Sequence, residues 1–122
     1  MNTLAFMVRE LSPEQIHVSE LSSHAPVPEG THLIDVREPH EWEAGRAVGA
    51  IHIPVGELAE RVKELPDGPL YLVCHGGGRS GRATAWLRQF GYEATNLDGG
   101  MVAWSERSLP MTRDDGGTPT VV

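Results

Sequence analysis

The sequence predicts an α/β domain: a three-layer fold with a mostly parallel five-stranded sheet and helices on both faces. Three observations carry that expectation. Short apolar runs rich in β-branched residues alternate with stretches of helical periodicity, the pattern of successive βα units. The runs around Leu33, Ile34 and Val36 and around Leu70, Leu72 and Val73 are apolar enough for strands covered on both faces. A chain of 122 residues is long enough for one layered core and too short for two.

In chain order, residues 1–12 form an ambiguous N-terminal arm in which Leu4, Phe6 and Val8 alternate, and the domain is expected to run over 13–111. Residues 15–18 read as a first strand, with Ser19 placed to cap a short helix that includes Leu21. Pro26, Pro28 and Gly30 mark a loop before the second strand, 31–36. Pro39 then suits the first position of a helix, with acidic residues in its first turn where the helix dipole favours them. Trp42 is expected in the core. Residues 50–53 read as a third strand stopped by Pro54, and Val55, Leu58, Val62 and Leu65 recur at near-helical spacing up to Pro66. Residues 93–97 make the fifth strand, and Gly99-Gly100 lead into a short helix carrying Val102 and Trp104. The polar, Gly-rich run 112–122 reads as a flexible C-terminal tail.

The fourth strand and its sequel, 71–90, hold the chemistry. An apolar strand, 70–73, delivers the chain's only cysteine, Cys74, followed by His75-Gly76-Gly77-Gly78-Arg79. Ser80 then opens a helix whose Ala83, Trp86, Leu87 and Phe90 share one face, with Gly91 as its C-terminal cap. Consecutive glycines let several backbone N–H groups turn toward one point, making an anion cradle. The helix N-terminus adds unpaired N–H groups and its positive dipole end. Cys74 is therefore expected to be more acidic than an ordinary thiol. Arg79 adds a permanent charge and a forked donor suited to an oxyanion. His75 either tunes substrate access or is an incidental loop residue.

This pattern resembles the active-site loop of the rhodanese domain: Cys74, two residues, Gly77, one residue, Arg79 and Ser80. Two more stretches carry the resemblance. Residues 33–54, LIDVREPHEWEAGRAVGAIHIP, are similar to the family's Asp-Val-Arg-Glu signature, and 96–110, NLDGGMVAWSERSLP, to its Gly-Gly, Ala-Trp and Leu-Pro signature. Departures lie at 45–50 and at Ser108, outside the cysteine loop. The resemblance implies a sulfurtransferase. Cys74 takes a sulfane sulfur from a donor such as thiosulfate or a persulfide, and a thiophilic acceptor, whether cyanide, a thiol or a partner protein, removes it. On the same footing, His75, Gly76, Gly77, Gly78, Arg79 and Ser80 bind substrate, while Asp35 and Arg37 hold the fold beside the site. The alternatives are a phosphatase or arsenate reductase of related fold and a non-catalytic binding module. Cysteine phosphatases place five residues between nucleophile and arginine, against four here, His75 to Gly78.

Ten basic against seventeen acidic residues leave a net charge of −7, which argues against nonspecific binding to nucleic acid or anionic membranes. Arg82 and Arg88 are read as a solvated helix face. One cysteine excludes an internal disulfide and suits a reducing, cytoplasmic setting. The histidines show no metal-ligand spacing, so no metal is assigned, and the chemistry calls for no organic cofactor.

Overall fold

The computed structural model describes residues 13–122; the expected arm, 1–12, lies outside them. The strands are β1 (Gln15–His17), β2 (His32–Asp35), β3 (Arg46–Ala47), β4 (Ile51–His52), β5 (Leu70–Val73), β6 (Ala94–Asp98) and β7 (Met111–Thr112). The α-helices are α1 (Pro39–Ala44), α2 (Gly78–Gln89) and α3 (Gly100–Glu106). Five strands form one sheet in the order β1-β6-β5-β2-β4, every pair parallel. β5 is therefore central, and its carboxyl end, where Cys74 follows, opens between neighbours on both sides.

Successive side chains on a strand point to opposite faces, which splits the core in two. Ile34, Leu70 and Leu72 join Ala83 and Leu87 of α2 on one face. Leu33, Val73 and Leu97 join Met101 and Trp104 of α3 on the other. The near-continuous apolarity of β2 and β5 follows from this double cover. Pro39 stands at the first position of α1, and Gly91, at φ 89°, donates its N–H to the Arg88 carbonyl at 3.1 Å just past α2.

Several expectations are corrected. Residues 55–65 do not make one helix but two 3-10 turns, Val55–Glu57 and Val62–Glu64. Gly56 and two β-branched valines disfavour a continuous helix, and separate turns seat Leu58 in the core with Val55, Val62 and Leu65 against it. The first short turn is Val18–Glu20, so Ser19 lies inside it; its cap is His17, whose Nδ1 accepts the Ser19 N–H at 3.0 Å. Phe90, expected on the buried face of α2, is 64% exposed: it stands just past the helix end at Gln89, with its ring edge-on to Trp86 at 5.1 Å between centroids. Trp42 is half-buried, stacked on His52 at 4.6 Å with the Arg46 guanidinium 4.5 Å from its ring centroid. Arg88 is no solvated residue: it donates to the Ala94 carbonyl at 2.8 Å.

The segment expected as a free tail is tied down. Thr112 pairs with Arg46 and Met111 with Ala47 in a small antiparallel sheet, Arg46 forms an ion pair with Asp114, and the Thr120 N–H donates to the Ala44 carbonyl at 2.9 Å. Val121 packs against the second core cluster. Backbone pairing, which leaves no apolar period in the sequence, supplies this order.

Candidate active site

Cys74 is 1% exposed and sits where β5 gives way to the loop. Three donors converge on its sulfur: the Gly77 N–H at 3.1 Å, the Ser80 N–H at 3.4 Å and the Ser80 hydroxyl at 3.2 Å. Burial pushes the thiol up, but hydrogen bonds from the Ser80 hydroxyl and from the N–H groups of Ser80, Gly77 and Arg79 outweigh it, leaving the thiol below its ordinary value. The loop N–H groups and the start of α2 thus act on the sulfur atom itself.

The three glycines are not equivalent. Gly77 adopts φ 116°, and a Cβ there would stand 3.3 Å from the Asp98 carboxylate. Gly76 and Gly78 would each meet nothing within 4 Å. The conformational demand therefore falls on Gly77, whose N–H reaches the sulfur. From the opposite side α3 clamps the loop: Met101 N–H donates to the Cys74 carbonyl at 2.8 Å and Val102 N–H to the His75 carbonyl at 3.1 Å. Gly100 permits this approach, since a Cβ there would lie 2.4 Å from the His75 carbonyl oxygen.

Arg79 points its fork at Glu41, with contacts of 2.6 and 2.9 Å. The hydrogen bond from Arg79 holds the Glu41 carboxyl down to about 2 against the opposing effect of burial. Asp35 and Arg37, both fully buried, form a chelate in which the guanidinium contacts both carboxylate oxygens at 2.8–3.1 Å. The same guanidinium donates to the carbonyls of Glu41 and Gly45, so the pair fixes α1 and through it the carboxylate that meets Arg79.

A match to the rhodanese-like domain model spans residues 18–107, from the first turn through α3. The chain belongs to the rhodanese-like domain family. It is 34% identical over 112 residues to a sulfurtransferase of Allochromatium vinosum, covering 90% of this chain and all of that one. An uncharacterised protein of Bacillus subtilis, YqhL, is 49% identical over 74 residues, and the match spans 59% of each chain. Among solved structures, a rhodanese-related protein from Thermoplasma volcanium superposes with a TM-score of 0.73 at 31% identity, covering 81% of this chain and 97% of that one.

Within this rhodanese-like site, two residues escaped the sequence reading. Glu41 meets Arg79 across 38 positions, a pairing no local spacing announces. Asn96 is the other: its Oδ1 accepts from the Ser80 hydroxyl at 2.6 Å, while Nδ2 donates to the Gly77 carbonyl and to Gln15 Oε1, each at 3.1 Å. The Gly77 carbonyl only accepts, which assigns the amide orientation chemically. A signal existed, since an amide in the middle of an apolar strand demands a partner.

Proposed function

We propose that this domain is a sulfurtransferase that carries sulfane sulfur as a persulfide on Cys74. The supporting observation is the convergence of the Gly77 and Ser80 N–H groups and the Ser80 hydroxyl on one buried sulfur. Those donors stabilise a thiolate before transfer and a persulfide anion after it. Cys74 attacks the outer sulfur of a donor such as thiosulfate or a persulfide; the donor's inner fragment leaves with the bonding pair, and an acceptor later attacks the outer sulfur now on Cys74. The shared covalent intermediate predicts ping-pong kinetics. Cys74 is the chain's only cysteine, so the acceptor comes from outside: cyanide in an assay, a thiol or a partner protein in a reducing compartment such as the cytoplasm. His75 to Ser80 frame the substrate, while Asp35 and Arg37 hold the frame in place.

Intact mass after incubation with sulfane-sulfur donors tests this reading. The protein should gain the mass of one sulfur and lose it to cyanide, and Cys74→Ser should do neither. Gain and loss of sulfur by Cys74→Ser would defeat it.

A further inference from the structure

The charges around the loop bear on which sulfur donor it can accept. Arg79 is the cation nearest the nucleophile by sequence, and the charge of Cys74 acts on it. Its own charge is already balanced by the Glu41 carboxylate at 2.6 and 2.9 Å. Glu41 is 6% exposed and held acidic enough to stay ionised throughout the neutral range. Glu38, at the start of the same helix, acts electrostatically on the same guanidinium. On the far side of the loop the Asp98 carboxylate lies 3.3 Å from where a Cβ on Gly77 would stand. Arg37, a fully buried arginine of this region, is balanced by Asp35. The loop is thus flanked by three carboxylates, Glu38, Glu41 and Asp98, and the charge of Arg79 is already held by Glu41.

Thiosulfate brings two negative charges and expels sulfite, again with two. Both need positive potential, and the Glu41–Arg79 pair has cancelled that of its arginine. The neutral N–H and O–H donors around Cys74 serve a single negative charge on sulfur. We propose that the donor that loads Cys74 is an alkyl persulfide, R–S–SH, in preference to a doubly charged oxyanion such as thiosulfate; this rests on the sulfurtransferase reading above.

The reaction balances without a further reagent. The Cys74 thiolate attacks the terminal sulfur of R–S–SH, the Cys74–sulfur bond forms as the donor's S–S bond breaks, and R–S⁻ leaves with the bonding electron pair. The proton stays on the transferred sulfur, giving Cys74–S–SH, which releases it to solvent to become the persulfide anion that the loop donors stabilise. The donor enters neutral and R–S⁻ leaves with the negative charge that the Cys74 thiolate held, so no extra cation is required. No net oxidation occurs.

Rates of sulfur loading onto Cys74, followed by intact mass under matched conditions with cysteine persulfide and with thiosulfate, test the assignment. Cysteine persulfide should load at least tenfold faster. Added potassium chloride should raise the thiosulfate rate, because it screens repulsion, and leave the persulfide rate nearly flat. Glu41→Gln keeps an oxygen for the Glu38 N–H but removes the charge, and should narrow the ratio between donors by about tenfold. Cooperative unfolding and stoichiometric alkylation of Cys74 establish that this variant is intact. Equal loading by the two donors, or a ratio unmoved in an intact Glu41→Gln, would overturn the donor assignment and leave sulfur transfer standing. Loading by neither donor would overturn both.

Discussion

The Ser80 hydroxyl lies 2.6 Å from Asn96 Oδ1 and 3.2 Å from Cys74 Sγ, with one proton to serve both. Asn96 can only accept at that atom, so it competes with the thiolate for the proton. Ser80→Ala should raise the midpoint of the pH dependence of Cys74 alkylation by about one unit, the scale of one charge-assisted hydrogen bond. Asn96→Ala leaves the hydroxyl to the sulfur and should lower that midpoint, yet produce no further change once Ser80 is alanine. Iodoacetamide kinetics against pH measure all three variants; a shift by Asn96→Ala in the Ser80→Ala background would show that Asn96 does not act through the hydroxyl.

The Glu41–Arg79 pair makes stability sensitive to acid. The folded-state value of Glu41 is lowered from 4.5 to about 2, so the folded protein binds fewer protons than the unfolded chain between those limits. The stabilisation is present in full above about 4.5 and is lost as pH falls toward 2. With Arg79 partly exposed to screening, it is on the order of 2 kcal/mol. Urea titrations should show Glu41→Gln less stable than the parent by about that amount at pH 7, with the gap closing near pH 2. A gap independent of pH would mean that the ion pair is not its source.

Gly100 is predicted to be irreplaceable. Alanine there would take a φ of 58° and place its Cβ 2.4 Å from the His75 carbonyl oxygen and 2.6 Å from that of Cys74. Those atoms are backbone, so relief requires moving α3 off the loop. Gly100→Ala should cost roughly 2–4 kcal/mol of unfolding free energy and disturb Cys74 alkylation, whereas Gly76→Ala, with open space around it, should leave stability within about 0.5 kcal/mol. Equal stabilities of the two variants would contradict the clamp.

The C-terminal segment gives a fourth test. A Cβ on Gly45 would lie 2.6 Å from the Thr120 backbone nitrogen, which donates to the Ala44 carbonyl. Gly45→Ala should therefore release residues 113–122, seen as faster amide exchange at Thr120 and faster proteolysis around Gly116-Gly117. Unchanged exchange at Thr120 would show that the segment tolerates the added methyl.

The five-stranded sheet was legible because strands covered on both faces leave unbroken apolar runs such as 70–73, and the loop was legible because its chemistry is consecutive in sequence. What could not be read is whatever depends on partners distant in the chain. Glu41 and Arg79 are joined by the docking of α1 beside the loop, and Asn96 reaches Ser80 only because β6 lies next to β5. The closing segment was misjudged for a related reason: its polarity and glycines describe an isolated peptide, while β7 and Thr120 are ordered by hydrogen bonds to residues 44–47. The 55–65 region shows the opposite limit. Spacing of Val55, Leu58, Val62 and Leu65 located the buried face correctly, but apolar spacing alone does not separate a helix from consecutive 3-10 turns.

The size of the loop favours sulfur over phosphate. Four residues, His75 to Gly78, separate Cys74 from Arg79, and α2 begins at Gly78. In consequence the Gly77 and Ser80 N–H groups stand 3.1 and 3.4 Å from Sγ itself. A cysteine phosphatase loop, one residue longer, instead encircles a tetrahedral phosphoryl group beyond its sulfur. Inserting one glycine between Gly77 and Gly78 should lift the start of α2 away from the sulfur and open the ring. The variant should bind vanadate and phosphate more tightly, read as protection of Cys74 against iodoacetamide, and its thiol should rise as the N–H bonds lengthen. Sulfur loading from a persulfide donor should slow by about tenfold or more. The unaltered protein should show negligible hydrolysis of an aryl phosphate and little protection by vanadate. Efficient aryl phosphate turnover by the unaltered protein, abolished in Cys74→Ser, would instead assign the loop to phosphoryl transfer.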